Sequence, residues 1–292
     1  MKLEYKINTP KYANLKDILK SHFHISERLL VRLKKHHKIF VNNIPISTIN
    51  ISPNIGDLIS VDISFNEESE NIVPTKINLD ILFEDDSMLI VNKQPGLPVH
   101  PSAMHFEDSL SNGIQHYYNK QNIHTKIRPV NRLDKDTSGI VIFAKNEYVQ
   151  NIFTYQMTNH IFEKSYLAIL NGNLNNSAGT IDAPIARKSG SIIEREVNKH
   201  GQKSVTYYKL IKNYDDFCLV EFKLETGRTH QIRVHSQYIG HPILGDSLYG
   251  TGSELINRQA LHAYKISFLH PADNRKMEFE IDLPKDMKNL IL

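Results

Sequence analysis

From residue 79 onward the chain is dominated by short runs with strand character, and these constrain its fold more than any other feature. LDILFEDDSMLIVNK reads as two strands around a turn at Asp85-Asp86-Ser87. GIVIFAK, SYLAILNG, VTYYKLIK, FCLVEFKLE, AYKISFLH and MEFEIDL follow. Helical periodicity is rarer, and its clearest cases are SLSNGIQHYYNK, EYVQNIFTYQMT and HQIRVHSQYI. Many strands without regular helical alternation predict an α+β domain built on a mixed, largely antiparallel sheet. With 292 residues, 40% of them hydrophobic, the chain can bury a real core in one large domain plus a small one.

Residues 12–65 read as a unit of another kind. Asn14 is placed to cap a helix over LKDILKSHF, and Ser26 to cap a second, ERLLVRLKKH. On the second helix Arg28, Arg32 and Lys35 share one face, with Leu29, Leu30 and Leu33 roughly opposite. KIFVNNIPI alternates like a strand with an Asn-Asn turn, and GDLISVDI is a further strand. Charge is unevenly spread under a net +3: residues 1–40 hold ten Lys/Arg against three Asp/Glu, and residues 57–86 one against nine. The basic head suits a phosphate backbone, although a solvated surface has the same composition. The expected division is a small basic α/β RNA-binding domain over 1–66, an acidic linker over 67–78 and a body over 79–292.

Several functional classes are excluded or disfavoured. No apolar run approaches the ~20 residues of a membrane span, and the N-terminal residues lack the apolar core of a secretory signal. A single cysteine, Cys218, allows no intramolecular disulfide and no thiolate cluster for zinc, so a cytoplasmic protein is expected. There is no Walker loop or GxGxxG fingerprint.

Three segments can carry chemistry. In NRLDKDTSGI, residues 131–140, Asp134 stands between Arg132 and Lys135, just before an apolar run. Neighbouring cations favour the ionised carboxylate that a nucleophile or general base requires, and a turn aspartate before a strand looks the same. In LETGRTHQIRVHSQYIGHPILGDSLYG, residues 224–250, Thr229 is a candidate N-cap and Gly240 a helix stop. His230 and His235 lie five apart rather than four, which argues against a zinc-binding helix pair. Arg228 and Arg233 could hold a carboxylate or phosphates, or form structural ion pairs. In KSYLAIL, Tyr166 is either core or a platform on which a base stacks.

Taken together, RLDKDTSG, KSYLA, GRTHQIRVH and GHPILGDSLYG resemble, in the same order, the motifs of the RluA-type RNA pseudouridine synthases. NKQPGLPVHPS, residues 92–102, resembles an earlier segment of that family, so the likeness extends over 79–292. The basic head resembles the small RNA-binding module of the ribosomal-protein-S-four type. The resemblance implies that Asp134 is the catalytic aspartate, Arg233 its ion-pair partner and Tyr166 the ring that stacks on the base. It implies that Arg132 contacts RNA and helps to hold a flipped nucleotide. The family usually has His before Arg-Leu-Asp; this chain has Asn131, which can still hydrogen-bond.

The implied reaction breaks the N1–C1′ bond of a uridine, rotates the base and rejoins it through C5. It needs no redox change and no added group, so neither cofactor nor metal is expected. The expected partner is ribosomal or transfer RNA, with no membrane, and the expected state is a monomer. Two rivals have distinct signatures. A non-catalytic RNA-binding or ribosome-assembly protein would bind RNA without making pseudouridine. A glycosidase-like hydrolase would pair Asp134 with Asp136 or Asp246. A metal-dependent nuclease would in addition need a carboxylate cluster and would be stopped by a chelator.

Overall fold

The computed structural model describes residues 1–69 and 71–292. The N-terminal unit opens with β1 (Lys2–Lys6), a strand not foreseen from the sequence, because two of its five residues are lysines and it has a single fully buried position. The helix capped by Asn14 is only one turn of α1 (Leu15–Asp17), which widens into a π-type turn over Ile18–His22. Ser26 caps α2 (Glu27–Lys35) by accepting from the Leu29 amide, and Leu29, Leu30 and Leu33 are buried. β2 (Ile39–Val41) and β3 (Ile44–Pro45) form a hairpin, and β4 (Leu58–Asp62) closes the sheet. Both hairpin-turn asparagines, Asn42 and Asn43, have positive φ, as a tight primed turn requires. The strand order is β1-β4-β2-β3, antiparallel throughout.

The body contains, in chain order, β5 (Asp80–Glu84), β6 (Met88–Lys93), α3 (Leu110–Lys120), β7 (Ser138–Ala144), α4 (Glu147–Thr158), β8 (Glu163–Asn171), β9 (Ala178–Asp182), β10 (Ile185–Arg187), β11 (Arg195–Val197), β12 (Val205–Asn213), β13 (Phe217–Leu224), α5 (Gln231–Tyr238), β14 (Leu261–Leu269), β15 (Lys276–Glu280) and α6 (Lys285–Ile291). Its main sheet runs β5-β6-β7-β14-β8-β13-β12-β9, with β15 also on β14 and β10-β11 as a separate ribbon. Every pairing is antiparallel except β7 with β14. This is the mixed, largely antiparallel α+β architecture expected from the strand runs.

The sheet is covered on both faces, which explains why β6 and β7 are apolar without alternation. Met88, Ile90, Ile140 and Ile142 feed one core, which also takes in α4 and the apolar face of the N-terminal unit. Leu89, Val91, Val141 and Phe143 feed the opposite core, with α3, Leu133, Tyr166 and Ile232.

The N-terminal unit is therefore docked on the body. Asn151 of α4 donates to the His24 carbonyl at 2.7 Å, and the His24 and Tyr155 rings stack 4.3 Å apart. The connecting segment is also engaged: Glu67 accepts from Arg32 at 2.6 Å and from Arg128 at 2.5 Å, so its carboxylate bridges helix, connector and body. No helix among the described residues is long and apolar enough to cross a membrane.

Candidate active site

The loop that carries Asp134 is tied down on three sides. Upstream, the Val130 amide bonds to the Ile142 carbonyl at 2.8 Å, and the Asn131 side chain both donates to the Ile140 carbonyl and accepts from the Ile142 amide, each at 3.0 Å. Asn131 is thus a bracket between the loop and β7. Downstream, Arg258 donates to the Asp136 carbonyl at 3.1 Å and Gln259 to the Thr137 hydroxyl at 3.2 Å. From beneath, the fully buried Lys93 donates to the carbonyls of Gln94, Leu97 and Lys135 at 2.9, 2.7 and 2.8 Å. Burial pushes the Lys93 pKa down to about 7, against the pull of Asp136. Gly139 is required where the loop enters β7: its φ is +122°, and a Cβ there would lie 2.3 Å from the Ala263 carbonyl oxygen.

With its backbone held, Leu133 faces the core and Asp134 faces a cleft of about 1450 Å³. The cation that meets the carboxylate is Arg233 of α5, whose Nη1 donates to Asp134 Oδ2 at 3.1 Å. His230 Nε2 lies 3.8 Å from the other oxygen. The flanking Arg132 and Lys135 are exposed at the same cleft, and neither forms an ion pair with Asp134. Tyr166 on β8 lines the same cleft and is buried; burial first, and then the Asp134 charge, hold its phenol pKa above the ordinary value. Arg132 and Arg228 line the cleft as well.

Arg233 has a second and stronger partner. Its Nε and Nη2 donate to the two oxygens of Asp246 at 2.7 and 2.9 Å, a bidentate pair with Asp246 wholly buried. Asp246 also accepts from the Leu248 and Tyr249 amides at 3.0 and 3.1 Å. Burial opposes the Asp246 charge, but Arg233 outweighs it and holds the carboxyl below the usual range. Asp246 sits where it does because Gly245, at φ +75°, lets the chain pass within 2.2 Å (measured to its ideal Cβ) of the Arg258 carbonyl. A carboxylate occupied in this way is not available as the second acid of a hydrolase.

The start of α5 departs from expectation. Its N-cap is His230 in a left-handed conformation, φ +56°, rather than Thr229. The turn is fixed by Gln231, which accepts from the Arg228 amide and the Thr226 hydroxyl and donates to Val205 and Thr206 of β12. That conformation turns His230 into the cleft, where its Nδ1 is 2.8 Å from the Tyr249 hydroxyl, and the Tyr249 ring lies under the Arg233 guanidinium at 5.0 Å. His235 is a buried hydrogen-bonding group between Thr206 and Ala183. Sequence reasoning did not place Lys93, His230 or Tyr249 at the site and gave Asp246 only a rival role. The contacts that tie them to the site span 42 residues for Lys93 to Lys135, 19 for His230 to Tyr249 and 13 for Asp246 to Arg233, which leaves no local periodicity to read.

The basic helix of the N-terminal unit divides in two. Arg32 is engaged by Glu67 and by Glu147 at 3.5 Å, and packs over the Phe65 ring at 3.8 Å. Its guanidinium thus ties the helix to the connecting segment and to α4. Arg28 is exposed with a loose 3.6 Å contact to Glu147, and Lys35 is exposed. Among the described residues no three His, Cys, Asp or Glu side chains converge as a metal site would.

The cleft thus brings together a pinned loop with one carboxylate, a guanidinium and a tyrosine, in a chain that its matches to known proteins assign to the RluA-type RNA pseudouridine synthase family. Residues 87–238 match the RNA pseudouridylate synthase family. An uncharacterized RNA pseudouridine synthase of Bacillus subtilis (strain 168), YjbO, is 41% identical over 267 residues, covering 91% of this chain and 94% of the relative. The ribosomal large subunit pseudouridine synthase D of Zymomonas mobilis is 36% identical over 249 residues, covering 80% of this chain and 78% of the relative. The structure of human RNA pseudouridylate synthase domain containing 1 superposes with a TM-score of 0.59 at 26% identity, over 70% of this chain and 83% of that one. The chain is accordingly an enzyme of RNA pseudouridine formation.

Proposed function

We propose that Asp134 carries the isomerisation, acting on a uridine swung out of structured RNA into the cleft. The observation that supports this most directly is the 3.1 Å contact between Asp134 and a guanidinium that Asp246 already holds in place. The carboxylate either adds to the sugar or removes a proton from it while the N1–C1′ bond opens; both need the ionised form next to a fixed cation. The freed base turns over within the cleft, C5 bonds to C1′ and loses its proton, and N1 ends protonated. Tyr166 supplies the face against which the base stacks, and Arg132 and Arg228 at the cleft wall hold the strand that delivers it. The N-terminal unit adds phosphate affinity through its exposed cations, Arg28 and Lys35 among them.

The substrate proposed is large-subunit ribosomal RNA, as the names of relatives such as the Zymomonas mobilis protein suggest. The enzyme is proposed to act as a cytoplasmic monomer without cofactor. Mapping pseudouridines across total RNA with and without the gene tests this. Loss of one or more sites in large-subunit RNA is expected, and loss confined to transfer RNA would overturn the assignment. Complementation with Asp134→Asn should fail to restore any lost site; restoration would remove Asp134 from the mechanism.

A further inference from the structure

Lys164 belongs to no interaction described so far. It stands two residues before Tyr166 on β8, so both side chains leave the same face of the strand, roughly 7 Å apart. Lys164 lines the active-site cleft and is partly buried beside the Gly227-Arg228 turn, where an added Cβ on Gly227 would lie 3.5 Å from its Nζ. Three carboxylates line the cleft. Asp134 faces Arg233 at 3.1 Å. Glu225 accepts from Tyr207 at 2.5 Å and from Lys203 at 3.4 Å. Glu163 is exposed. Among the described residues no carboxylate comes within 4.0 Å of the Lys164 ammonium, and burial alone lowers its pKa. A cation withdrawn from water without a counter-charge is a cost to the fold, and it persists where a ligand supplies the anion.

We propose that Lys164 is the anchor for a backbone phosphate next to the target uridine. The reading rests on the pseudouridine chemistry at Asp134. Uracil and ribose are neutral, so the only anions an RNA brings into this cleft are its phosphodiesters. A compact ammonium is a point-charge partner for one of them. Its place on the strand of Tyr166 gives it a definite role. The ring sets where the base stacks, and the ammonium, one side-chain step along the same face, sets where the chain leaves it. Base and backbone are thereby held from one rigid strand, which fixes the glycosidic bond relative to Asp134.

The test uses full-length protein with Asp134→Asn, so that binding is read without turnover. The ligand is a synthetic RNA hairpin carrying a uridine found by the mapping above. Lys164→Met should weaken binding about tenfold or more. It should also lower the slope of log affinity against log salt by about 0.7 to 1. A single methylphosphonate at one flanking phosphate should weaken the protein with Lys164 but leave Lys164→Met unaffected, a non-additivity that identifies the contact. Lys164→Arg should recover the salt slope. The melting temperature of Lys164→Met should equal or exceed that of the parent, because an unpaired charge has been removed. Additive losses at every flanking phosphate, an unchanged salt slope, or a lowered melting temperature would overturn the proposal. If the wild-type enzyme converts the hairpin but the phosphate effects are additive, only this inference falls. If it forms no pseudouridine, the underlying reading falls with it.

Discussion

Asp134 and Asp246 share one guanidinium, and their different burial predicts very unequal costs for the same substitution. Asp246 is fully buried and takes four hydrogen bonds, two from Arg233 and one each from the Leu248 and Tyr249 amides. In Asp246→Asn one oxygen becomes an amide that faces an Arg233 donor, and the buried guanidinium loses its principal charge partner. Breaking a buried pair from one side costs about 3–5 kcal/mol. In a chain of this size that lowers Tm by roughly 10 °C. The Asp134 side chain is 27% exposed and accepts a single hydrogen bond, at 3.1 Å, so Asp134→Asn should cost less than about 1 kcal/mol. Differential scanning calorimetry of the two variants checks the ordering. Acid titration adds a second readout. Arg233 depresses the Asp246 pKa in the folded state, so the stability it contributes is complete above the unfolded value of about 3.9 and is lost as pH falls through the lower folded value. The parent should therefore lose stability below about pH 4 more steeply than Asp246→Asn. If Asp246→Asn is as stable as the parent, or Asp134→Asn the less stable variant, the assignment of Asp246 as the holder of Arg233 is wrong.

Asp134→Asn should abolish isomerisation while RNA affinity stays within a fewfold of the parent, measured by single-turnover product formation beside filter binding. Glu67→Gln removes the buried charge shared by Arg32 and Arg128; it should cost about 2–4 kcal/mol and speed amide exchange in Glu27–Lys35 more than in β7. Lys93→Met leaves three carbonyls without their donor and should lower stability by about 2 kcal/mol or more in urea unfolding. It should also slow turnover with RNA affinity intact, because one of those carbonyls belongs to Lys135, next to Asp134.

The strand runs were legible because both faces of β6, β7, β8 and β13 are covered, so apolar side chains crowd them whatever their register. The hairpin at Asn42-Asn43 and the cap at Ser26 were legible because they are local hydrogen-bonding devices. Local chemistry failed where long-range contacts decide. Lys2–Lys6 is a strand because β4 pairs with it, and Arg32 is a tie because Glu67 lies 35 residues on. At the site, the guanidinium that bonds to Asp134 comes from 99 residues away, a pairing that the charges around Asp134 in the sequence do not announce. The left-handed His230 could not be read either, since two of the Gln231 bonds that fix its turn reach back 25 and 26 residues to β12.

The double hold on Arg233 also has a mechanistic consequence. On the proposed chemistry Asp134 gives up its negative charge partway through, whether it bonds to the sugar or takes a proton from it. If Asp134 were the only partner, that step would strand a buried guanidinium, and the penalty for an unpaired buried charge would be added to the barrier. With Asp246 bound through both of its oxygens, the guanidinium stays neutralised and in register throughout. Its Nη1 remains where it was for the return of the charge when the intermediate collapses, so no reorganisation is required at that moment. The more deeply buried carboxylate is thus the one that must never change its protonation, and the accessible one is free to react. Arg233→Lys separates these roles: a lysine retains one charge but cannot span both carboxylates, so it should keep Asp246 satisfied at the expense of Asp134. The expected result is a fold within about 2 kcal/mol of the parent and turnover reduced at least a hundredfold. Parental turnover in that variant would show that the fork geometry is not what the site depends on.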